Sequence, residues 1–170
     1  MEPVIACSLL ATALGLAGLA SGQEPEPEPR SSRFRPGENT SKLPRMRMDG
    51  LLSDDQFLML AAMPGTVVLD ARSKDKYEQL HVKGAVNLPY TDFTAEALAK
   101  VIPNKATRVL IYCNNNFKDE PKAFPGKHRV ALNIPTFITL HSYGYTNVHE
   151  LQPLLEVKTT KIPFEGKPVE

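Results

Sequence analysis

The sequence predicts a single α/β domain built on a mostly parallel sheet with helices on both faces. Two short apolar runs, Thr66–Asp70 and Arg108–Tyr112, are rich in Val, Leu and Ile, as in strands that are buried on both faces. Helical patterns lie before, between and after these runs, and such alternation is typical of parallel sheets. The chain has 170 residues, of which 42% are hydrophobic, and this fits one domain with tails.

Local signals place the elements of this domain in order. A capping box at Ser53 and Gln56 begins the first helix, and Pro64 and Gly65 end it. The elements predicted after it are a strand over 66–70, a helix over 73–80 with Tyr77 and Leu80 inward, a strand over 84–89, a helix over 94–101, a strand over 108–112, a helix over 130–143 and a strand over 147–151.

The helix over 130–143 carries two further signals. Gly144 is the usual left-handed residue that ends a helix. Pro135 lies inside the pattern, so it either begins the main part of the helix or kinks it.

The N-terminus is predicted to be a signal peptide over residues 1–22. Residues 4–20 are apolar and rich in Ala, Gly and Ser, and small residues at Ala20 and Gly22 fit a cleavage site after Gly22. A permanent anchor is the alternative, but this run is short and makes a poor spanning helix. We therefore expect an exported protein, periplasmic or secreted, with no stable membrane span in the mature chain.

The rest of the chain divides by composition. Residues 23–47 repeat Glu and Pro with few apolar side chains, which predicts a disordered tether. The domain follows over 48–152, and residues 153–170 are expected to be an irregular wrap or tail. The net charge is +1, with 20 Lys and Arg against 19 Asp and Glu, so we expect no nucleic-acid partner.

Cys113 is the candidate catalytic residue. The chain has two cysteines, and removal of the signal peptide takes away Cys7. Cys113 follows the strand over 108–112, and ligands collect at the carboxyl ends of such strands. Three asparagines follow it, which predicts a surface loop end, and the cations of the loop would lower the thiol pKa if they point inward. The alternative is a buried apolar cysteine that ends a strand.

Three motifs in order then carry a resemblance. They are the Leu-Asp-Ala-Arg of 69–72 with the His-Val-Lys-Gly-Ala-Val-Asn-Leu-Pro of 81–89, the Val-Leu-Ile-Tyr-Cys of 109–113, and the Tyr-Gly-Tyr-Thr-Asn-Val of 143–148. Over about residues 48–152 the sequence resembles the rhodanese-like domain family. The resemblance implies a rhodanese-like fold in which Cys113 carries a persulfide, taking sulfur from a sulfane donor such as thiosulfate and passing it to a thiol or cyanide. It also implies that Asp70 and Arg72 are structural supports beneath the active loop.

The loop after Cys113 departs from the family pattern. The family's six-residue loop maps onto Cys113 and the expected substrate-binding residues Asn114, Asn115, Asn116, Phe117 and Lys118. Lys118 would hold an anionic donor, or Arg129 would replace it, and the sequence leaves both open. The insertion over 119–128 would cover the pocket, reshape it or abolish its cradle of amides.

The leading interpretation is a sulfurtransferase or persulfide carrier. The alternative is a non-catalytic module whose enlarged loop binds a protein or an anion. A phosphatase or arsenate reductase is disfavoured, because the sixth residue after Cys113 is Asp119, where those enzymes need arginine. The four histidines show no ligand spacing, so we expect no metal and no cofactor.

Overall fold

A computed structural model describes residues 43–126 and 131–167 of the chain. The predicted signal peptide with Cys7, most of the predicted tether, and Arg129 lie outside the described residues. Within the described part, no helix is both long and apolar enough to cross a membrane.

Five parallel strands form the central sheet, in the order β1-β7-β5-β2-β4. The strands are β1 (Leu51–Leu52), β2 (Thr66–Asp70), β4 (Val86–Asn87), β5 (Arg108–Tyr112) and β7 (Val148–Leu151). Every neighbouring pair in this sheet is parallel. The predicted bounds of β2 and β5 are confirmed, because these two central strands carry the most continuous apolar runs.

Helices cover both faces of the sheet, as the sequence predicted. They are α1 (Leu43–Asp49), α2 (Asp54–Ala61), α3 (Lys74–Gln79), α4 (Ala95–Val101) and α5 (Asn133–Ser142). On one face, Leu110 packs in a cluster with Phe57 of α2. On the other, Ile111 packs with Leu98 of α4 and Phe137 of α5. Because alternate residues of β5 point to opposite faces, one strand serves both clusters.

The predicted helix ends are confirmed where the local chemistry is strong. Ser53 and Gln56 form the capping box of α2. Gly144 has φ +88°, as expected for the residue that ends a helix. Helix α5 begins at Asn133, so Pro135 lies in its first turn, where its missing N–H breaks no intrahelical bond.

The tether predicted over 23–47 differs from the structure at its end, because α1 is helical from Leu43. Arg47 on α1 forms an ion pair of 2.6 Å with the buried Glu150. Gly50, the residue after α1, lies close to β7. A Cβ at this position would lie 3.0 Å from the Val148 carbonyl oxygen. A charge partner and a backbone contact therefore order this segment despite its polar composition.

The C-terminal extension is a wrap that packs on the domain. Strand β8 (Leu155–Glu156) pairs in parallel with β6 (Phe117–Lys118). Strand β9 (Phe164–Glu165) pairs antiparallel with β3 (His81–Val82). Between these two pairings, Ile162 is buried in the core. The extension thus touches the segment that directly follows the Cys113 loop.

Candidate functional site

Cys113 lies at the carboxyl end of β5 and is followed by a 3₁₀ turn over Asn114–Asn116. Its Sγ accepts a hydrogen bond from the Asn115 backbone N–H at 3.4 Å. The backbone amides of Leu132 and Asn133, at the beginning of α5, also act to lower the pKa of the thiol. One backbone amide thus bonds the sulfur, and the amino end of α5 adds the positive end of its dipole.

The thiol is buried, which corrects the expectation of a surface loop end. Only 2% of Cys113 is exposed. Burial raises the pKa of the thiol and outweighs the lowering by the amides of Asn115, Asn133 and Leu132. The nearby charge of Glu150 raises the pKa further. The expected lowering by loop cations required them to point inward, and Lys118 instead pairs with Glu156 at the surface.

Asn116 is the buried member of the polar triplet that follows Cys113. Its Oδ1 accepts from the Cys113 backbone N–H at 2.8 Å and from Asn133 Nδ2 at 3.1 Å. Its Nδ2 donates to the carbonyl oxygens of Leu151 at 2.7 Å and Pro153 at 3.3 Å. Because every polar atom of the side chain is bonded, its burial carries no unpaired group. Asn116 therefore holds the loop rather than facing a ligand.

A cavity of about 480 Å³ opens beside the loop. Asn114, the residue after Cys113, and Leu132, the residue before α5, line it together with Arg72, Tyr90 and Pro125. The Oδ1 of Asn114 is buried and lacks a hydrogen-bond partner. Such an orphan acceptor beside a cavity is suited to meet a donor group of a bound molecule. Of the predicted substrate-binding residues that the structure describes, Asn114 is the one that lines the cavity and has an unbonded side-chain oxygen.

Phe117 and Lys118 lie away from this arrangement. Phe117 is buried in an aromatic cluster with Tyr112, Phe124 and Phe164. The Nζ of Lys118 pairs with Glu156 at 2.8 Å on the protein surface. The six-residue count from Cys113 therefore ends in a strand, β6, rather than at a cation that faces the sulfur.

The insertion after Asp119 folds onto the domain as far as it is described. Asp119 has φ +73°, a left-handed conformation that turns the chain. Ala123 and Phe124 are each 2% exposed. The Ala123 carbonyl oxygen accepts from Arg72 at 3.0 Å, and the Lys122 carbonyl oxygen accepts from Lys76. Arg72 therefore anchors the described part of the insertion to the core.

Asp70 and Arg72 form a buried ion pair beneath the insertion. The Arg72 guanidinium donates to Asp70 through three bonds of 2.6 to 3.1 Å and to the Leu80 carbonyl oxygen at 2.8 Å. The Tyr112 hydroxyl also donates to Asp70, and Phe124 stacks 4.2 Å from the guanidinium carbon. Burial and the charge of Asp70 raise the pKa of Tyr112 well above its usual value. These contacts favour the supporting role that the resemblance implies, and that role stays a prediction.

No group of three His, Cys, Asp or Glu side chains within the described ranges is placed to hold a metal. His81 is used structurally, since its Nδ1 lies 2.7 Å from the Tyr77 carbonyl oxygen and its ring stacks on Tyr77.

Sequence reasoning missed Arg47, Asn133 and Glu150. Glu150 stands in β7, a strand with three other buried or half-buried residues, and it is itself only 5% exposed. A carboxylate inside a strand that is buried on both faces was the signal that could have found it, because such a charge needs a partner.

Comparison with known proteins supports the same domain. The model of the rhodanese-like domain matches residues 53–152. A segment of 46 residues is 39% identical to thiosulfate sulfurtransferase PspE of Escherichia coli, and it covers 27% of this chain and 43% of that protein. The match thus spans less than half of that relative's length.

Solved structures share the fold. The BH2092 protein of Bacillus halodurans superposes with a TM-score of 0.50 at 14% identity, over 68% of this chain and 75% of that one. An EanB variant in complex with hercynine superposes with a TM-score of 0.53 at 18% identity, over 71% of this chain and 28% of that one. With the family match over the predicted domain and the parallel five-stranded sheet, the chain belongs to the rhodanese-like domain family.

Proposed function

We propose that the protein is a sulfurtransferase or persulfide carrier with Cys113 as its nucleophile. The observation that carries this proposal is the Asn115 backbone N–H that donates to the Cys113 sulfur, beside the beginning of α5, whose Leu132 and Asn133 amides act to lower the pKa of the thiol. A buried thiol without a chemical role has no need of such donors. The 46-residue segment that is 39% identical to a thiosulfate sulfurtransferase supports the same class of reaction.

The proposed reaction has two displacement steps. The Cys113 thiolate attacks the outer sulfur of a sulfane donor such as thiosulfate, forming a new S–S bond. The S–S bond of the donor breaks, and sulfite leaves with the electron pair. An acceptor thiolate or cyanide then attacks the terminal sulfur of the persulfide, and the Cys113 thiolate is released with the bonding electrons. No net oxidant or reductant is consumed.

The amides contribute most where negative charge rests on sulfur. Before attack the thiol must lose its proton, and burial opposes this step. Fixed N–H donors oppose that penalty, and they cost no reorganisation when the thiolate forms. The same donors would hold the anionic persulfide between the two steps.

The cavity beside Asn114 is the proposed binding site for the donor or acceptor. Its volume of about 480 Å³ exceeds what a small inorganic donor needs, so it also has room for an organic thiol. Lys74 and Lys76 line its rim and would favour an anion. Lys118 pairs with Glu156 and does not line this cavity, so Lys74 and Lys76 replace it as the proposed anion-binding residues in the described part of the chain.

A test of the activity is thiocyanate formation from thiosulfate and cyanide, with persulfide transfer to a small thiol as a second assay. We expect turnover by the wild-type protein and none by Cys113→Ser. A Lys118→Gln variant serves as the matched loop control and is expected to retain turnover. Equal rates for wild type and Cys113→Ser would refute the proposal.

A non-catalytic binding module is the second candidate, and the burial and raised pKa of Cys113 favour it. This candidate expects Cys113→Ser to keep full function in binding a partner. It also expects that no sulfane donor modifies the thiol. The assays above therefore separate the two candidates without knowledge of the partner.

We further propose that the protein is exported, on the basis of the apolar residues 4–20 and the small residues at Ala20 and Gly22. N-terminal sequencing of the protein recovered from an extracytoplasmic fraction should begin at Gln23. An intact Met1 on all recovered protein would contradict the proposal.

A further inference from the structure

Glu150 is a buried carboxylate on the face of the sheet that carries Cys113. In the register of β5 and β7, Glu150 lies opposite Ile111, two residues before Cys113. Paired residues of parallel strands project to the same face, and here that face is covered by α5. Glu150 is 5% exposed, so a buried carboxylate lies on the strand next to the one that carries the proposed nucleophile.

Two side chains hold this carboxylate through one of its oxygens. Arg47 of α1 donates to Glu150 Oε1 at 2.6 Å, and Asn133 Nδ2 donates to the same oxygen at 3.1 Å. The other oxygen, Oε2, is buried and has no hydrogen-bond partner, and the same holds for Arg47 Nε. The pair is therefore incompletely satisfied, which is costly for a buried ion pair that serves stability alone.

Asn133 connects this pair to the sulfur. Its backbone amide is one of those that act to lower the pKa of Cys113. Its side-chain amide uses one hydrogen for Glu150 and the other for Asn116 Oδ1, which also accepts the Cys113 backbone N–H at 2.8 Å. The position of the first turn of α5 relative to the Cys113 loop thus depends on a carboxylate of β7.

We propose that Arg47 and Glu150 are a positioning pair for Cys113, in which Glu150 fixes the α5 amides at the sulfur and Arg47 offsets the charge that Glu150 brings. Their role in catalysis rests on the proposed function, but their effect on the thiol does not. Arg47 lies before the matched family domain, at residues 53–152, so a segment outside the domain becomes part of its site.

The charges around the thiol define the direction of this effect. Glu150 raises the pKa of Cys113 by its negative charge, and Arg47 is the cation bonded to it. On the opposite face of β5, the Asp70–Arg72 pair and Tyr112 are bonded to one another. From α5, the first described turn presents the neutral Asn133. Loss of Glu150's charge should therefore favour the thiolate, and loss of Arg47's should oppose it.

A purely structural pair would behave differently. If the pair only attached α1 to the sheet, both substitutions would reduce stability and would loosen the loop in the same way. The ionisation of Cys113 would then stay unchanged or shift in one common direction. Opposite shifts are expected only if the two charges act on the sulfur.

The experiment measures the rate of Cys113 alkylation by iodoacetamide against pH on the full chain, for Glu150→Gln, Arg47→Gln and the double variant. Gln at 150 keeps an oxygen for Asn133. We expect the pH midpoint of alkylation to be lower in Glu150→Gln. At one pH unit below the wild-type midpoint, the alkylation rate should rise by about threefold or more. We expect a higher midpoint for Arg47→Gln, with a loss of similar size. The double variant should lie between the two single variants, since it removes both charges.

Two control variants accompany these three. Glu78→Gln removes an exposed carboxylate that pairs with Lys167 and should leave the midpoint unchanged, and Arg47→Lys should stay near wild type. An unchanged midpoint in either single variant, shifts of both in one direction, or a double variant whose midpoint lies outside the range between the two single variants would overturn the proposal. Circular dichroism checks folding, and if Glu150→Gln does not fold, Arg47→Gln decides through its upward shift.

The positioning pair and the proposed function can be refuted independently of each other. If the midpoints move as expected while no sulfane donor modifies Cys113, the positioning pair stands and the sulfurtransferase proposal falls. If sulfur transfer occurs while the midpoints do not move, the positioning pair falls alone.

Discussion

Replacement of Arg72 by methionine tests whether the buried pair with Asp70 is a structural support. Asp70 is fully buried, and only 1% of the Arg72 side chain is exposed. Methionine keeps much of the volume but removes the charge, the bonds to Asp70 and the donor to the Ala123 carbonyl oxygen. Asp70 would then keep two donors, the Tyr112 hydroxyl and the backbone N–H of residue 72.

The cost can be worked from these contacts. Removal of one partner of a buried ion pair costs about 3–5 kcal/mol, because the remaining charge is uncompensated. This is a large part of the 5–15 kcal/mol, roughly, that stabilises a typical domain. A double variant, Asp70→Asn with Arg72→Met, removes the stranded charge. It should therefore be more stable than Arg72→Met alone.

The assay is urea unfolding followed by far-UV circular dichroism. Lys74→Met is the matched control, since Lys74 is exposed on α3 and should change the free energy of unfolding by less than about 0.5 kcal/mol. A loss below about 1 kcal/mol for Arg72→Met would refute the structural role. A double variant less stable than Arg72→Met would refute the argument from the stranded charge.

Three further predictions concern pH and packing. Burial raises the pKa of Cys113, so the folded state holds the thiol proton more tightly; this stabilisation is complete below the unfolded pKa of about 8.5 and is lost as pH rises through the folded value. Urea midpoints between about pH 8 and 10 should thus fall more for wild type than for Cys113→Ala, and parallel curves would contradict it. Gly166→Ala should cost about 1–3 kcal/mol, because its Cβ would lie too close to the Gln79 carbonyl oxygen, whereas Gly126→Ala meets no atom of the described residues within 4 Å and should be neutral by the same unfolding assay. Phe124→Ala should cost about 3–5 kcal/mol in urea unfolding, because Phe124 is buried in the core, and a loss under about 1 kcal/mol would show that the insertion is not packed as described.

Much of the fold was predictable because its signals are local. The runs Thr66–Asp70 and Arg108–Tyr112 are continuous and apolar, and the structure forms strands with these bounds. The capping box at Ser53 and the left-handed Gly144 fix helix ends within a few residues of chain. Such features depend on neighbours in sequence, which the sequence itself presents.

The burial of the site was not predictable in the same way. Asn114, Asn115 and Asn116 indicated an exposed loop by composition, yet Asn116 is buried because its partners come from the Cys113 backbone and from residues near 151. The partner of Glu150 lies on α1, more than a hundred residues earlier in the chain. Contacts at such separation decide whether a polar residue is solvated or buried, and no local pattern encodes them.

The most direct test of the central claim is mass spectrometry of the protein after incubation with thiosulfate or another sulfane donor. The account predicts a gain of one sulfur atom on the peptide that contains Cys113, its loss on addition of a thiol, and no gain in Cys113→Ser. An unmodified Cys113 with every donor, at a pH where iodoacetamide alkylates the same thiol, would contradict it.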